Sequence, residues 1–313
     1  MFRRLLYLVV AGCLASCAGG EADRTPTSGL SGDSERSTGS ISAEAANGWV
    51  TLESIPTSIV SLSPSGTEML FAIGAGEQVV AVDEYSYYPV DAPVTDLSGY
   101  TPNVEAIAGF DPDVVLISDD IGGVVSSLEA LEIPVIHLPA ARNLDDVFEQ
   151  IETLGIATGH EKEATELTES MRETVAEAVA SVAVLDPKPS FFHELDSTLY
   201  TATSQTFIGS VYAILGFENV ADAADTDGNG YPQLTTEYLL EADPDFIFLA
   251  DAQYGVSSES VAERPGWGSL SAVEGGRVVA LPADIHSRWG PRIVDFVDFI
   301  ASEVLVETLV GMD

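Results

Sequence analysis

The chain has 313 residues, 46% of them hydrophobic, and carries fifty acidic residues against twelve basic ones for a net charge of −38 at pH 7. So negative a surface repels nucleic acid and anionic lipid headgroups, which excludes both as partners. Two cysteines give no framework for a stapled fold, and a chain of this length can bury a core without one.

The first seventeen residues place Arg3 and Arg4 before an apolar run from Leu5 to about Leu14. That run is too short to span a bilayer and is followed by small residues, the pattern of a secretory leader. Leu14-Ala15-Ser16-Cys17 resembles a bacterial lipobox, in which the cysteine becomes the lipidated first residue of the exported protein. Cys13 then leaves with the leader and Cys17 takes the lipid. From Ala18 to about Asn47 the composition is Gly, Ser, Thr, Ala and scattered charge without apolar periodicity, and a flexible linker is predicted over residues 18–55.

Strand and helix signals then alternate. A first α/β lobe is predicted over 56–160, with strands at 58–63, 78–83, 113–118 and 134–139. Helices are expected at 65–76, from about Asn103, at 123–132 and at 144–158. Ser65 and Glu68 fit a capping box. The stretch GAGEQV holds two glycines of a dinucleotide fingerprint, but Val79 stands where the third belongs and the run follows a helix, so it reads as a turn. Residues 161–186, rich in Ala and Glu and free of Gly and Pro, read as one helix of about 36 Å. A second lobe is predicted over 187–313, with strands at 190–195 and 277–282, a helix at 206–216 and a last helix from about Pro291 to Leu309. The fold class is α/β: two Rossmann-like lobes with parallel sheets, bridged by one long helix, with a ligand cleft between them.

One pattern occurs twice. NVEAIAGFDPDVVLIS (103–118) and LTTEYLLEADPDFIFLA (234–250) both read as helix, DPD turn and strand. At an offset of 132 residues Asp111, Pro112 and Asp113 fall on Asp243, Pro244 and Asp245, and Glu105 falls on Glu237.

Taken with IVSLSPSGTEMLFAIGAGEQVVAVDEYSYYPVDA and SRWGPRIVD, these segments resemble the substrate-binding proteins of ABC importers for vitamin B12, ferric siderophores and haem, in order and across the folded part. The resemblance implies two lobes with limited hinge motion and delivery of ligand to a permease dimer with its ATPase. It implies a monomer held to the membrane through the lipid anchor only, on the extracytoplasmic side, with the corrinoid or ferric chelate as cargo and no resident cofactor. It also implies that Glu105 and Glu237 pair with arginines of the permease. A symmetric permease offers the same basic pocket twice, and a duplicated lobe supplies two equivalent carboxylates. A glutamate in the first turn of a helix also complements the helix dipole.

The cleft should be lined by loops at the C-terminal ends of strands. Tyr85, Tyr87 and Tyr88, Tyr231 and Trp289 lie in such loops, and flat rings suit a large planar ligand. By resemblance, Tyr85 and Tyr231 match positions whose aromatic residues contact a corrinoid. Tyr231 replaces a tryptophan there, and Gly99 stands where another tryptophan belongs, with Tyr100 adjacent. Ligand-binding residues are therefore expected to be Tyr85, Tyr100, Tyr231, Trp289 and Arg288, with a corrinoid preferred over a ferric siderophore and haem third. Arg142, Arg288 and Arg292 are the arginines available for an anionic chelate, or for pairing with the protein's own carboxylates.

An enzyme is not indicated: no G-x-S-x-G elbow, HExxH helix or Walker loop occurs. His137, His160, His193 and His286 are dispersed. A metal-ion receptor using His193 and His286, and a surface lipoprotein acting as adhesin or sensor, are the rival readings.

Overall fold

The structure, a computed structural model, describes residues 40–310. The leader, Cys17 and most of the linker lie outside the described residues. The linker is shorter than predicted, because β1 (Ile41–Ala45) and β2 (Gly48–Leu52) form an antiparallel hairpin. Its five-residue strands alternate, burying Ala43, Val50 and Leu52, and are joined by a two-residue turn of Ala46 and Asn47. Asn47 also closes a sheet edge. Its Nδ2 donates to the Val135 carbonyl at 2.9 Å, and its Oδ1 accepts from the His137 amide at 3.2 Å.

The first lobe continues with β3 (Ile59–Leu62), α1 (Pro64–Ala72), β4 (Val79–Val82), α2 (Val104–Ala108), β5 (Val114–Ile117), α3 (Val124–Glu129), β6 (Val135–His137) and α4 (Leu144–Thr158). The bridging helix α5 (Glu161–Val182) leads to β7 (Ser190–Glu194), α6 (Phe207–Ile214), β8 (Glu218–Asn219), α7 (Thr236–Ala242) and β9 (Phe246–Leu249). Then follow α8 (Ser258–Ala262), α9 (Ser271–Glu274), β10 (Val278–Ala280) and α10 (Ile293–Val310). The two four-stranded sheets are parallel and share one topology: β4-β3-β5-β6 in the first lobe and β8-β7-β9-β10 in the second. In each, the chain steps from the second strand to one edge and returns on the other side. This leaves a topological switch point at the C-terminal strand ends, where α/β sheets bind ligands.

Strands β5 and β9, VVLI and FIFL, are buried at every position, as parallel strands covered on both faces must be. Their period of two divides each strand between two cores. Val60, Leu62, Val115 and Ile117 face α2 and α3, and Phe192, Ile247 and Leu249 face the outer helices of the second lobe. The alternate residues, Ile59, Val114 and Leu116 with Phe191, Phe246 and Phe248, enter a single core shared by both lobes, α5 and α10. The bridging helix contributes Ala164, Met171, Ala178 and Val182 as a helical stripe. It is packed against α4 and α10 along its length, so the lobes are joined by a continuous apolar interior and not by the helix alone.

The repeated DPD turn has a structural cause. Asp111 and Asp243 take positive φ (49° and 44°) at the ends of α2 and α7, and the proline that follows stops the helix. The third residue clamps the start of the neighbouring strand. Asp113 Oδ2 accepts from the Thr57 and Ser58 amides at 2.7 and 3.0 Å. Asp245 Oδ2 accepts from the Ser190 amide at 2.8 Å and its hydroxyl at 2.9 Å.

The expected capping box at Ser65 and Glu68 is absent. Pro64 occupies the first helical turn, which it suits because it lacks the N–H that would be unpaired there. Ser63 is therefore the N-cap, accepting from the Gly66 amide at 3.1 Å, and Glu68 is left free for the seam between the lobes.

Candidate functional site

Two cavities, of about 340 and 310 Å³, open at the C-terminal ends of the sheets and meet at Ser287 and Trp289. The first is bordered by Asp83, Tyr85, Tyr100 and Asp119 of the first lobe and by Asp284, Arg288 and Trp289 of the second. The second runs between Ala140–Arg142 of the first lobe and Gln205–Ile208 and Gly228–Tyr231 of the second. Together they form one cleft between the lobes.

Local sequence holds the rings in place. Asp83 follows β4 and is almost fully buried; its Oδ1 accepts from the Tyr85 amide at 2.8 Å. Tyr85 and Tyr100 remain exposed and meet edge to face, with centroids 5.6 Å apart. Gly99 permits this approach, because a Cβ there would lie 2.8 Å from the Leu62 carbonyl oxygen. A tryptophan at 99 has no room on this backbone, and the ring comes from Tyr100 instead. Across the cleft, Asp225 accepts from the Asn229 and Gly230 amides at 3.2 and 2.9 Å, and Asn229 Oδ1 accepts from the Tyr231 amide at 2.8 Å. Gly230 has φ +82°, and a Cβ there would stand 2.7 Å from Thr206, so the loop presenting Tyr231 requires glycine. Trp289 is partly buried against the shared core and borders both cavities.

Arg288 borders the cleft, but its donors are taken. Its Nη1 donates to Glu68 Oε1 at 3.3 Å and its Nη2 to the Tyr85 carbonyl at 3.1 Å, and its guanidinium lies 4.8 Å over the Tyr87 ring. Arg292 donates to Glu68 at 2.9 and 2.6 Å and lies 3.8 Å over Tyr88. Glu68 comes from α1 and is 2% exposed, while both arginines come from the segment after β10. The three side chains tie the lobes across a seam. The Tyr87 hydroxyl adds a 2.6 Å bond to Asp284, and that bond raises the phenol pKa because it stabilises the protonated form. The sequence offered Arg288 and Arg292 for pairing with the protein's own carboxylates but did not single out Glu68 as the partner.

His193 and His286, dispersed in sequence, come together with ring centroids 5.9 Å apart, and His193 Nδ1 lies 2.9 Å from the Tyr212 hydroxyl. Burial lowers both pKa values, that of His193 to about 3. Among the described residues no group of three or more His, Cys, Asp or Glu side chains is placed to hold a metal ion. Glu194 points away from His193 and is gripped by Arg264 through two 2.6 Å bonds.

Glu105 and Glu237 lie outside the cleft. Both are exposed, in the first turns of α2 and α7. Asn103 and Thr235, again 132 residues apart, cap these helices by accepting from the Ala106 and Tyr238 amides at 3.1 and 3.2 Å. Each helix runs antiparallel to the strand that follows it, so both glutamates stand at the C-terminal edges of their sheets.

Comparison with known proteins finds a match between residues 59–285 and the family model described as periplasmic binding protein. An uncharacterized ABC transporter substrate-binding lipoprotein of Bacillus subtilis, YvrC, is 30% identical over 274 residues, covering 85% of either chain. A cobalamin-binding protein of Halobacterium salinarum is 31% identical over 303 residues, covering 94% of this chain and 82% of its own. Among solved structures, a possible iron-binding periplasmic solute-binding protein of Staphylococcus epidermidis superposes with a TM-score of 0.69 at 26% identity, over 80% of this chain and 99% of its own.

Proposed function

The chain belongs to the periplasmic binding protein family and is the substrate-binding component of an ABC importer, and on that footing we propose that its cleft captures a corrinoid, cobalamin or a close relative. The observation that carries this reading is the set of rings around one cleft: Tyr85 and Tyr100 from one lobe, Tyr231 and Trp289 from the other. Rings bury wide area at small rotamer cost, which suits a broad, flat macrocycle held edge-on between two walls. The Halobacterium relative, aligned over most of the chain, is a cobalamin-binding protein, which supports the same ligand. The ligand is cargo, and no resident cofactor is proposed.

Delivery proceeds by docking of Glu105 and Glu237 on the permease dimer. Their exposure and their equivalent register in the two lobes support this role. The pattern Leu14-Ala15-Ser16-Cys17 and the lipoprotein description of the Bacillus relative support anchoring through Cys17 on the extracytoplasmic side, and a monomer is proposed. No helix among the described residues is long and apolar enough to cross a membrane.

Difference absorption spectra test the ligand, because cobalamin, ferric hydroxamates and haem each carry their own chromophore. The purified chain is expected to perturb the cobalamin spectrum at one equivalent and to leave the other two unchanged. A stoichiometric shift with a ferric hydroxamate or haem, and none with cobalamin, would replace the corrinoid.

A further inference from the structure

Every cation bordering the cleft, among the described residues, already has an anionic partner. Arg288 and Arg292 share Glu68, and Arg288 also stands 3.8 Å from Asp284. Arg142, at the second cavity, holds Asp146 at 2.9 and 3.2 Å. The two lysines are elsewhere: Lys162 pairs with Glu166 on α5, and Lys188 donates to the Val182 carbonyl. His286, behind the cleft wall, is held neutral by burial.

The first cavity is instead bordered by three carboxylates, Asp83, Asp119 and Asp284. Asp83 is almost fully buried, and its Oδ1 already accepts from the Tyr85 amide. Asp284 is engaged by Tyr87 and Arg288. Asp119, at the C-terminal end of β5, is exposed and has only the Ser118 hydroxyl, at 3.3 Å, as a side-chain partner. It is the least compensated charge a ligand in this cavity meets.

We propose that the cleft selects its ligand by charge, with Asp119 as the residue that makes a cationic corrinoid bind more tightly than a neutral one of the same shape, and that polyanionic chelates are rejected. The inference rests on the corrinoid reading above and adds to it a rule for choosing among corrinoids. One unit charge about 7 Å from Asp119, in a half-exposed site of effective dielectric constant about 40, favours the cation by roughly fivefold to tenfold. Rejection of polyanions needs no clash: a cleft without a free cation leaves their charge desolvated and unpaired.

The test uses two cobalamins that differ in the upper axial ligand. Aquocobalamin is a monocation and cyanocobalamin is neutral. Absorption titration of the full chain at low salt is expected to give aquocobalamin the lower Kd by about fivefold. In Asp119→Asn that ratio should shrink to about twofold or less, because the nearest full charge is gone. In 1 M salt, where the screening length is about 3 Å, it should also shrink in the parent chain. Raising the pH until the cobalt-bound water ionises neutralises the same ligand and should erase the preference, since a metal ion makes its bound water acidic.

Equal affinities for the two cobalamins, or a preference for the neutral one, would overturn the charge rule and leave the corrinoid reading standing. A preference for aquocobalamin that survives Asp119→Asn, accompanied by the spectral change of replaced cobalt water, would assign it to direct coordination and overturn the rule as well. Binding of neither cobalamin would remove the corrinoid reading and this rule together.

Discussion

At an offset of 132 residues the two lobes share the strand-start serines Ser58 and Ser190, the caps Asn103 and Thr235, the glutamates Glu105 and Glu237, and the clamping aspartates Asp113 and Asp245. Their sheets have the same strand order. At the cleft the likeness ends. The first lobe offers a pair of tyrosines on a short loop, and the second offers Tyr231 on a glycine-hinged loop with Trp289 at the junction. The buried carboxylates differ too: Glu68 reaches across to arginines of the other lobe, while Glu194 stays with Arg264 inside its own. Features that would meet a symmetric permease are duplicated, and features that would meet an asymmetric ligand have diverged. Function can act separately on the two because the proposed docking groups sit on helix ends and the proposed ligand groups on strand-end loops.

The largest expected effect tests the duplicated features. Reversing both charges, with Glu105→Lys and Glu237→Lys, should reduce uptake by about 100-fold or more, since close interfacial charge pairs couple by several kcal/mol each. Ligand affinity in solution should not move. The single reversals should cause equal losses if the permease treats the lobes alike. A large loss from one and none from the other would break the equivalence on which the docking assignment depends.

The buried carboxylates sharpen the contrast next. Glu194 is fully buried, and its partner Arg264 is only 19% exposed, stacked 4.5 Å over Trp267. Burial raises the Glu194 pKa, and the Arg264 hydrogen bonds oppose that rise. Removing one side of such a pair leaves an uncompensated charge in the interior, so Glu194→Leu should cost about 3–5 kcal/mol in denaturant unfolding. Glu68→Leu strands Arg292, which lies nearer the surface than Arg264, and Arg288, which keeps Asp284, and should cost about 2 kcal/mol. It should also loosen the lobes, visible as greater mobility between labels placed one on each. Equal unfolding costs with no added mobility would show that the seam is ordinary packing.

The alternation of apolar runs with amphipathic helices exposed both lobes and the bridging helix, because parallel strands buried on two faces read as unbroken hydrophobic stretches. The repeated DPD was visible as a pattern, and its cause was not: the clamp joins Asp113 to Ser58 across 55 residues, a distance no local rule covers. The hairpin at 41–52 escaped notice since five-residue strands in a polar, small-residue context carry too little periodicity. Tyr85, Tyr100, Tyr231 and Trp289 could be named from loop position, but the commitment of Arg288 to Glu68 could not. Pairing 220 residues apart is decided by how the lobes close, and His193 meets His286 only through packing within the second lobe.

The clamps give the smallest effect and the most direct comparison of the lobes. Asp113 and Asp245 do the same work, each fixing the first residues of the second strand of its sheet. Asp113 does so from an exposed position and Asp245 from a half-buried one. After Asp113→Ala the Thr57 and Ser58 amides can turn to water, so the loss should be near the net value of a hydrogen bond, about 1 kcal/mol. After Asp245→Ala the Ser190 amide and hydroxyl remain partly enclosed, and the desolvation left uncompensated should bring the loss to about 2 kcal/mol. Thermal unfolding of the two variants, measured side by side, reads the difference directly. A larger loss at Asp113 would mean that strand registry in the first lobe, and not enclosure of the clamp, sets the cost.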